Sequence, residues 1–333
     1  MTQALILPEL EQSPALFDMG EALIREVENG LASSPRSLAP WMFYDAWGSC
    51  LFERITTLAE YYPSRIEREI LARFAEEIVG RAQAEPSQTL RIFELGAGTA
   101  AKTGILLEAA KRRHGRVTYV PYDVSPDALA QACTSIESIL PSVHLQPIVG
   151  NYVTHPPQLA RANGTTLALY IGSSIGNFSP EAARTILCNL RSQMSSGDAL
   201  LLGTDMVKEE EIMLAAYDDR EGVTADFNLN VLRRLNRELR ADFDFTGFRH
   251  QVRWNHAESR IEMHLESLCE QDVRIPAAKL DVHFAEGETI HTENSYKFTQ
   301  DSIRALLDDT GFKIEQTWKD PRDWYALTLA GLQ

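Results

Sequence analysis

The spacing of apolar residues changes character twice along the chain. Residues 15–33, ALFDMGEALIREVENGLAS, and residues 63–82, PSRIEREILARFAEEIVGRA, repeat apolar positions every three to four residues and predict helices. Between them YDAWGSCLFERITTLAEYYPSR (44–65) mixes aromatic and turn residues, and AQAEPSQ (82–88) reads as a linker-like break. From residue 90 short apolar runs alternate with amphipathic stretches. LRIFELGAG, VTYVPYDVS, HLQPIVGNY, TTLALYIGSSIGN and DALLLGTDM read as five strands. The helices between them are AKTGILLEAAKRRH, SPDALAQACTSIESIL and SPEAARTILCNLRSQM, the last two opened by a Ser cap and a Pro.

Strand–helix alternation with short links predicts βαβ units and a parallel sheet. The alternation stops near Met206. Residues 207–290 read first as acidic helices (EEEIMLAAYDDREGVTADFNLNVLRRLNREL), then as β-like alternation (FRHQVRWNHAESRIEMHLESLCEQDVRI). After residue 296 the first pattern resumes, with a helix in TQDSIRALLDDTGF and a closing strand pair in KIEQTWKD and WYALTLAG. The expected fold is α/β, a Rossmann-like sheet interrupted by an insertion. It implies two discontinuous domains: 66–206 with 297–333, and 1–65 with 207–296.

Composition narrows the partners. The chain of 333 residues is 44% apolar, enough for a full core without metal or disulfide support. Its formal net charge of −15 repels nucleic acid and anionic membrane surfaces, with no basic run longer than KRR at 111–113. No apolar run of spanning length and no signal-peptide pattern occurs, so a cytoplasmic protein acting on a small molecule is expected. Cys50, Cys133, Cys188 and Cys269 show no CxxC spacing, and the eight histidines show no HExxH, so no metal site is expected.

The chemistry concentrates in FELGAGTAAKT, 93–103. A phosphate-binding P-loop needs glycine where Ala101 precedes Lys102 and Thr103, so that motif fails. Gly96, Gly98 and Ala101 satisfy the G-x-G-x-x-G/A dinucleotide fingerprint, and Asp123 ends the second strand where a ribose diol is held. Glu94 discriminates. An acid just ahead of the glycines repels a pyrophosphate but suits the sulfonium and ammonium of S-adenosylmethionine. Asn151, closing the third strand, stands where an adenine contact is expected. A dinucleotide-dependent oxidoreductase and a cofactor-binding protein without turnover stay open as alternatives.

The chain resembles the histidine Nα-methyltransferases of ergothioneine biosynthesis, a family that includes an N-methyltransferase of a prenylated tryptophan. The resemblance runs through YDAWGSCLFERITTLAEYYPSR (44–65), FELGAGTAAKT (93–103), LYIGSSIGNFSP (169–180), YDDREGVTADFNLNVL (217–232) and IHTENSYKF (290–298). It implies a class I S-adenosylmethionine-dependent methyltransferase fold and three methylations of the L-histidine α-amine. It further implies Tyr61, Asn177 and Tyr217 at the amino-acid head of the substrate, Glu293 and Ser295 on its imidazole, Met263 lining the ring pocket, and Tyr44 and Phe52 as a lid. Glu94, Gly96, Gly98, Lys102, Asp123 and Asn151 fall to the cofactor, and a single chain is the expected working unit. Two positions depart from the family pattern: Asn151 stands where an acid is usual, and Asn294 where an apolar residue is common. Tryptophan or a prenylated derivative is the alternative substrate. Its indole has one N–H and no acceptor, and gives the Glu293–Ser295 pair nothing to do on one side.

Overall fold

The structure is a computed structural model that describes residues 11–12, 19–82, 89–152, 159 and 164–333. The elements begin with β1 (Glu11–Gln12), α1 (Met19–Ala32), β2 (Arg36–Ser37), α2 (Ala46–Ile55) and α3 (Tyr62–Arg81). The βαβ region follows: β3 (Thr89–Leu95), α4 (Thr103–His114), β4 (Val117–Asp123), α5 (Pro126–Ile139), β5 (His144–Leu145), β6 (Ile148–Val149), β7 (Gly164–Tyr170), α6 (Pro180–Ser192) and β8 (Ala199–Asp205). Then come α7 (Glu210–Ala215), α8 (Val223–Leu239), β9 (Phe248–Asn255), β10 (Arg260–Ser267), β11 (Gln271–Ile275), β12 (Leu280–Phe284) and β13 (Thr289–Tyr296), and finally α9 (Gln300–Asp309), β14 (Phe312–Lys319) and β15 (Tyr325–Leu332).

The main sheet runs β1-β6-β4-β3-β7-β8-β15-β14, with β5 beside β4. Strands β3, β4, β7 and β8 are mutually parallel, and β15 is antiparallel to both its neighbours, β8 and β14. Numbering only the principal strands, this is the order 3-2-1-4-5-7-6 with one reversed strand, the class I methyltransferase arrangement that the sequence led us to expect. Strand alternation explains the layers. Leu167 and Leu169 face one hydrophobic cluster, with Leu106 and Leu107 of α4 and Ile70 of α3. Ala168 and Tyr170 face the other, with Ile186 of α6 and Ile303 of α9. All seven residues of β8 are buried, as a central strand covered on both faces requires.

A second sheet, β2-β13-β10-β9, is built almost wholly from the insertion, and β11 with β12 forms a separate ribbon. One hydrophobic cluster is continuous from the main sheet into this part, joining Leu201 and Leu327 to Phe227, Ile261 and Leu265.

Three sequence expectations change in detail. The third strand is two short pieces either side of Pro147, which has no N–H for a ladder. The fourth ends at Tyr170, and Ser174–Asn177 form a 3-10 turn instead. Helix α3 starts at Tyr62 and so runs across the boundary expected at residue 66. Residues 15–18 of the first expected helix and 83–88 of the expected linker lie outside the described residues.

Candidate active site

The glycine turn leaves the carboxyl end of β3, where open α/β sheets hold ligands. Gly96 (φ +66°) and Gly98 (φ +52°) both take the left-handed conformation that glycine adopts without strain. A side chain at Gly98 would meet nothing within 4 Å, so open space lies in front of the turn. Asp123, at the end of β4, accepts hydrogen bonds from the Gly98 N–H at 2.8 Å and the Ser125 N–H at 2.9 Å. Burial raises its pKa against the pull of those N–H groups. Asn151 is buried beyond β6, and Tyr152 approaches the Gly96 position. An open glycine cradle flanked by an acid and an amide, with no cluster of cations among the described residues, fits a positively charged nucleoside rather than a pyrophosphate.

Two cofactor-side residues point elsewhere than the motif alone indicates. The Glu94 carboxylate is buried and accepts hydrogen bonds from the Thr103 hydroxyl at 2.8 Å and from the Tyr119 hydroxyl. Burial pushes its pKa up to about 7 in spite of those donors. It braces the start of α4 against β4, and reaches a cofactor only through its field. Lys102 forms an ion pair with Glu67 of α3. Glu67 is fully buried, and its Oε1 also accepts from the Gly172 N–H at 2.8 Å and the Tyr325 hydroxyl at 2.7 Å. A Cβ at Gly203 would stand 2.5 Å from that oxygen, so β8 leaves room for the carboxylate by having no side chain there.

A pocket with about 580 Å³ of empty space, counting its open mouth, lies between the turn that follows β7 (Gly172–Asn177) and the second sheet. It brings together all eight residues expected at the substrate: Tyr44, Phe52, Tyr61, Asn177, Tyr217, Met263, Glu293 and Ser295. Their positions follow from local structure. Met263 on β10 is paired directly with Glu293 on β13. Along β13, Glu293 and Ser295 are two residues apart and share a face, as strand alternation dictates. Asn177 ends the turn that follows β7. Tyr44, Phe52, Tyr61 and Tyr217 form a chain of edge-to-face rings with centroids 5.7, 6.3 and 6.2 Å apart. The glycine turn is tied to this wall, because Thr99 donates to Glu53 of α2 at 2.8 Å.

Charge in the pocket is arranged around Glu293 and Asp205. Burial pushes the Glu293 pKa up to about 7, moderated by the Lys297 ammonium. No hydrogen bond from another described residue reaches its carboxylate. Tyr44, Tyr61 and Tyr217 are held well above the usual phenol pKa, first by burial and then by neighbouring acids, so all three are hydroxyl donors. Tyr217 and Ser295, expected at opposite ends of the substrate, are in direct contact at 2.7 Å.

The sequence reading missed the residues beneath this floor. Lys297 reaches Asp205 at 2.8 Å, Tyr217 at 3.0 Å and Ser295 at 2.8 Å. Lys208 reaches Asp205 and the Tyr62 hydroxyl at 2.5 and 2.8 Å, and burial lowers its pKa to about 8. Burial alone raises the Asp205 pKa, but the two ammonium groups outweigh it and hold it low. Two signals pointed here. Residues 293, 295 and 297 alternate toward one face, and Glu67 sits inside the apolar stripe of α3 between Pro63 and Ile70. Phe227, a further ring of the lid wall, follows from the helical stripe of α8.

Comparison with known proteins shows the family. Residues 23–332 match the family described as histidine-specific methyltransferase, SAM-dependent. The chain is 41% identical over 310 residues to the histidine N-alpha-methyltransferase of Mycolicibacterium smegmatis, covering 93% of this chain and 95% of that one. It is 42% identical over 309 residues to the protein of the same name from Mycobacterium tuberculosis, covering 93% and 94%. Over 205 residues it is 34% identical to ergothioneine biosynthesis protein 1 of Neurospora crassa, covering 61% of this chain and 23% of that longer one. The chain is an S-adenosylmethionine-dependent N-methyltransferase and belongs to the histidine-specific, SAM-dependent methyltransferase family.

Proposed function

We propose that the protein methylates the α-amine of L-histidine three times, giving Nα,Nα,Nα-trimethylhistidine (hercynine), a step toward ergothioneine. The observation that carries this reading is the pairing of Glu293 and Ser295 on one strand face, buried beside Met263, at one end of a pocket whose other wall is Asn177 and tyrosine. A carboxylate that no other described residue hydrogen-bonds, next to a hydroxyl, matches a ring with two polar nitrogens. The names of the mycobacterial and fungal relatives support the same substrate and pathway.

S-Adenosylmethionine supplies a methyl group on a positive sulfonium. The glycine turn, Asp123 and Asn151 would hold it, and the acid and amide beside an open turn fit a nucleoside that carries positive charge. The remaining work is positioning. An α-amine titrates at about 8 in model peptides, so before each of the three transfers the ammonium loses one proton to solvent and the neutral nitrogen attacks without a dedicated base. Glu293 and Ser295, with Tyr217 hydrogen-bonded to Ser295, fix the ring, while Asn177 and Tyr61 fix the carboxylate end, leaving the nitrogen aimed at the cofactor side. Tyr44, Phe52, Tyr61 and Phe227 present ring faces to the cation that grows with each transfer. A single chain as the working unit belongs to the same reading. The two discontinuous domains remain our division of labour: the main sheet for the cofactor, the N-terminal helices and second sheet for histidine. No helix among the described residues is long and apolar enough to cross a membrane. The four unpaired cysteines suit a reducing cytoplasm.

The test is mass spectrometry of the purified protein incubated with S-adenosylmethionine and the twenty amino acids. Histidine gaining three methyl groups is the expected result. Product on tryptophan or another amino acid instead overturns the substrate assignment and leaves the fold assignment standing.

A further inference from the structure

Lys297 is fully buried beneath the pocket floor and its three ammonium protons have three acceptors: Asp205 at 2.8 Å, Ser295 at 2.8 Å and Tyr217 at 3.0 Å. None is left to enter the pocket. Its position is over-determined, since Asp205 closes β8, takes a second ammonium from Lys208 and a hydroxyl from Tyr62. The consequence falls on the two hydroxyls. Tyr217 and Ser295 each already accept a proton from Lys297, and they stand 2.7 Å apart, so one further proton lies between them. Two hydroxyls carry two protons. One proton is therefore left over, and both residues line the pocket. The pair has one lone pair remaining, on whichever residue donates within it, and the adjacent ammonium makes that lone pair a poor acceptor. The same charge strengthens the outgoing O–H as a donor.

Resting on the histidine reading above, we propose that Lys297 is a specificity-determining positioning residue: it fixes the Tyr217–Ser295 pair as an obligatory hydrogen-bond donor, so that the site selects a ring carrying one acceptor nitrogen beside the N–H that Glu293 accepts. Neutral imidazole has both groups. A ring with an N–H alone satisfies Glu293 but faces the outgoing hydroxyl proton with nothing to receive it. A doubly protonated imidazolium fails in the same way. Lys297 touches no substrate in this scheme; it acts through the two hydroxyls.

The test compares L-histidine with 3-(pyrrol-3-yl)alanine, a five-membered ring with an N–H and no acceptor, by calorimetric titration in the presence of S-adenosylhomocysteine. In the wild-type protein the pyrrole analogue binds roughly 10- to 100-fold more weakly, the cost of leaving a buried donor unpaired. In Lys297→Met each hydroxyl regains a lone pair and can turn, so the ratio contracts to within about threefold. A purely structural role weakens both ligands together and leaves the ratio as it was, and that result overturns the proposal. Should Lys297→Met fail to fold, Lys297→Met/Asp205→Asn/Lys208→Met removes the buried charges as a unit and carries the same expectation. A wild-type protein that binds the pyrrole analogue as tightly as histidine overturns it without any variant. If histidine itself fails to bind the wild-type protein while another amino acid binds, the functional reading has failed, and the proposal with it.

Discussion

Replacing Glu67 separates two kinds of work done by one buried carboxylate. Its Oε1 holds the Gly172 N–H and the Tyr325 hydroxyl, while its Oε2 pairs with Lys102. Glu67→Gln can keep the first set, because an amide oxygen accepts as a carboxylate oxygen does, and turns an NH2 toward Lys102. The Lys102 side chain is 20% exposed, so its ammonium can swing to water. The loss is then about 1.5–3 kcal/mol, that of a hydrogen bond to a charged group. Glu67→Ala removes both sets. It strands two buried donors at about 1–3 kcal/mol each and opens a cavity, for a total of roughly 4–8 kcal/mol. Urea denaturation of the two variants beside the wild type measures the difference. Since Gly172 opens the turn carrying Asn177, the alanine variant also raises the KM for histidine, and the glutamine variant does so far less. Equal destabilisation by Gln and Ala, within about 0.5 kcal/mol, would refute the division of roles between the two oxygens.

Three further outcomes are expected. Glu293→Ala lowers kcat/KM for histidine by roughly 100-fold, the order expected from losing a hydrogen bond to a charged group, while the Kd for S-adenosylmethionine stays within twofold; unchanged histidine turnover removes Glu293 from the ring pocket. Glu94 has its pKa raised from the usual 4.5 to about 7, so the folded protein holds a proton that the unfolded chain has lost. Its contribution to stability is therefore fully present below pH 4.5 and falls as pH rises to about 7; thermal melts from pH 4 to 8 should show that component in the wild type and lose it in Glu94→Gln. Asp123→Ala frees the Gly98 and Ser125 N–H groups and removes the proposed ribose ligand, raising the KM for S-adenosylmethionine roughly 10- to 100-fold with the KM for histidine little moved; equilibrium titration of each substrate checks the split.

The sequence showed the sheet because each parallel strand is a short apolar run followed by a glycine, serine or aspartate, and those runs are buried on both faces. The pocket-lining residues were legible only through the family resemblance, whose motifs around Tyr61, Asn177 and Glu293 are local strings, each on one turn or strand end. What it did not show is long-range pairing. Glu67 and Tyr325 lie 258 residues apart in sequence, and an acid on a helix reads as a solvated charge until the tyrosine and the glycine at 203 are placed beside it. Lys297 and Asp205 are in the same position: nothing local says that a lysine after β13 and an aspartate ending β8 meet beneath the pocket floor. The contact of Tyr217 with Ser295 was hidden for a related reason. The two were read from separate motifs, and only the fold sets the loop after α7 against β13.

The antiparallel strand β15 lies between β8 and β14 rather than at a margin of the main sheet. Its partner β8 leaves the ribosome well before it, and β9, β10 and β13 of the second sheet are synthesised in between. During that interval β8, seven residues without an exposed side chain, has an open ladder of backbone donors and acceptors on one side. The sheet can close only when Tyr325–Leu332 slides in against Ala199–Asp205. Such a high-separation pairing is slow to form, and the nascent chain passes through a stage with a sticky apolar edge. Expression of this protein should thus depend on chaperone supply and on growth temperature more steeply than its final packing would indicate.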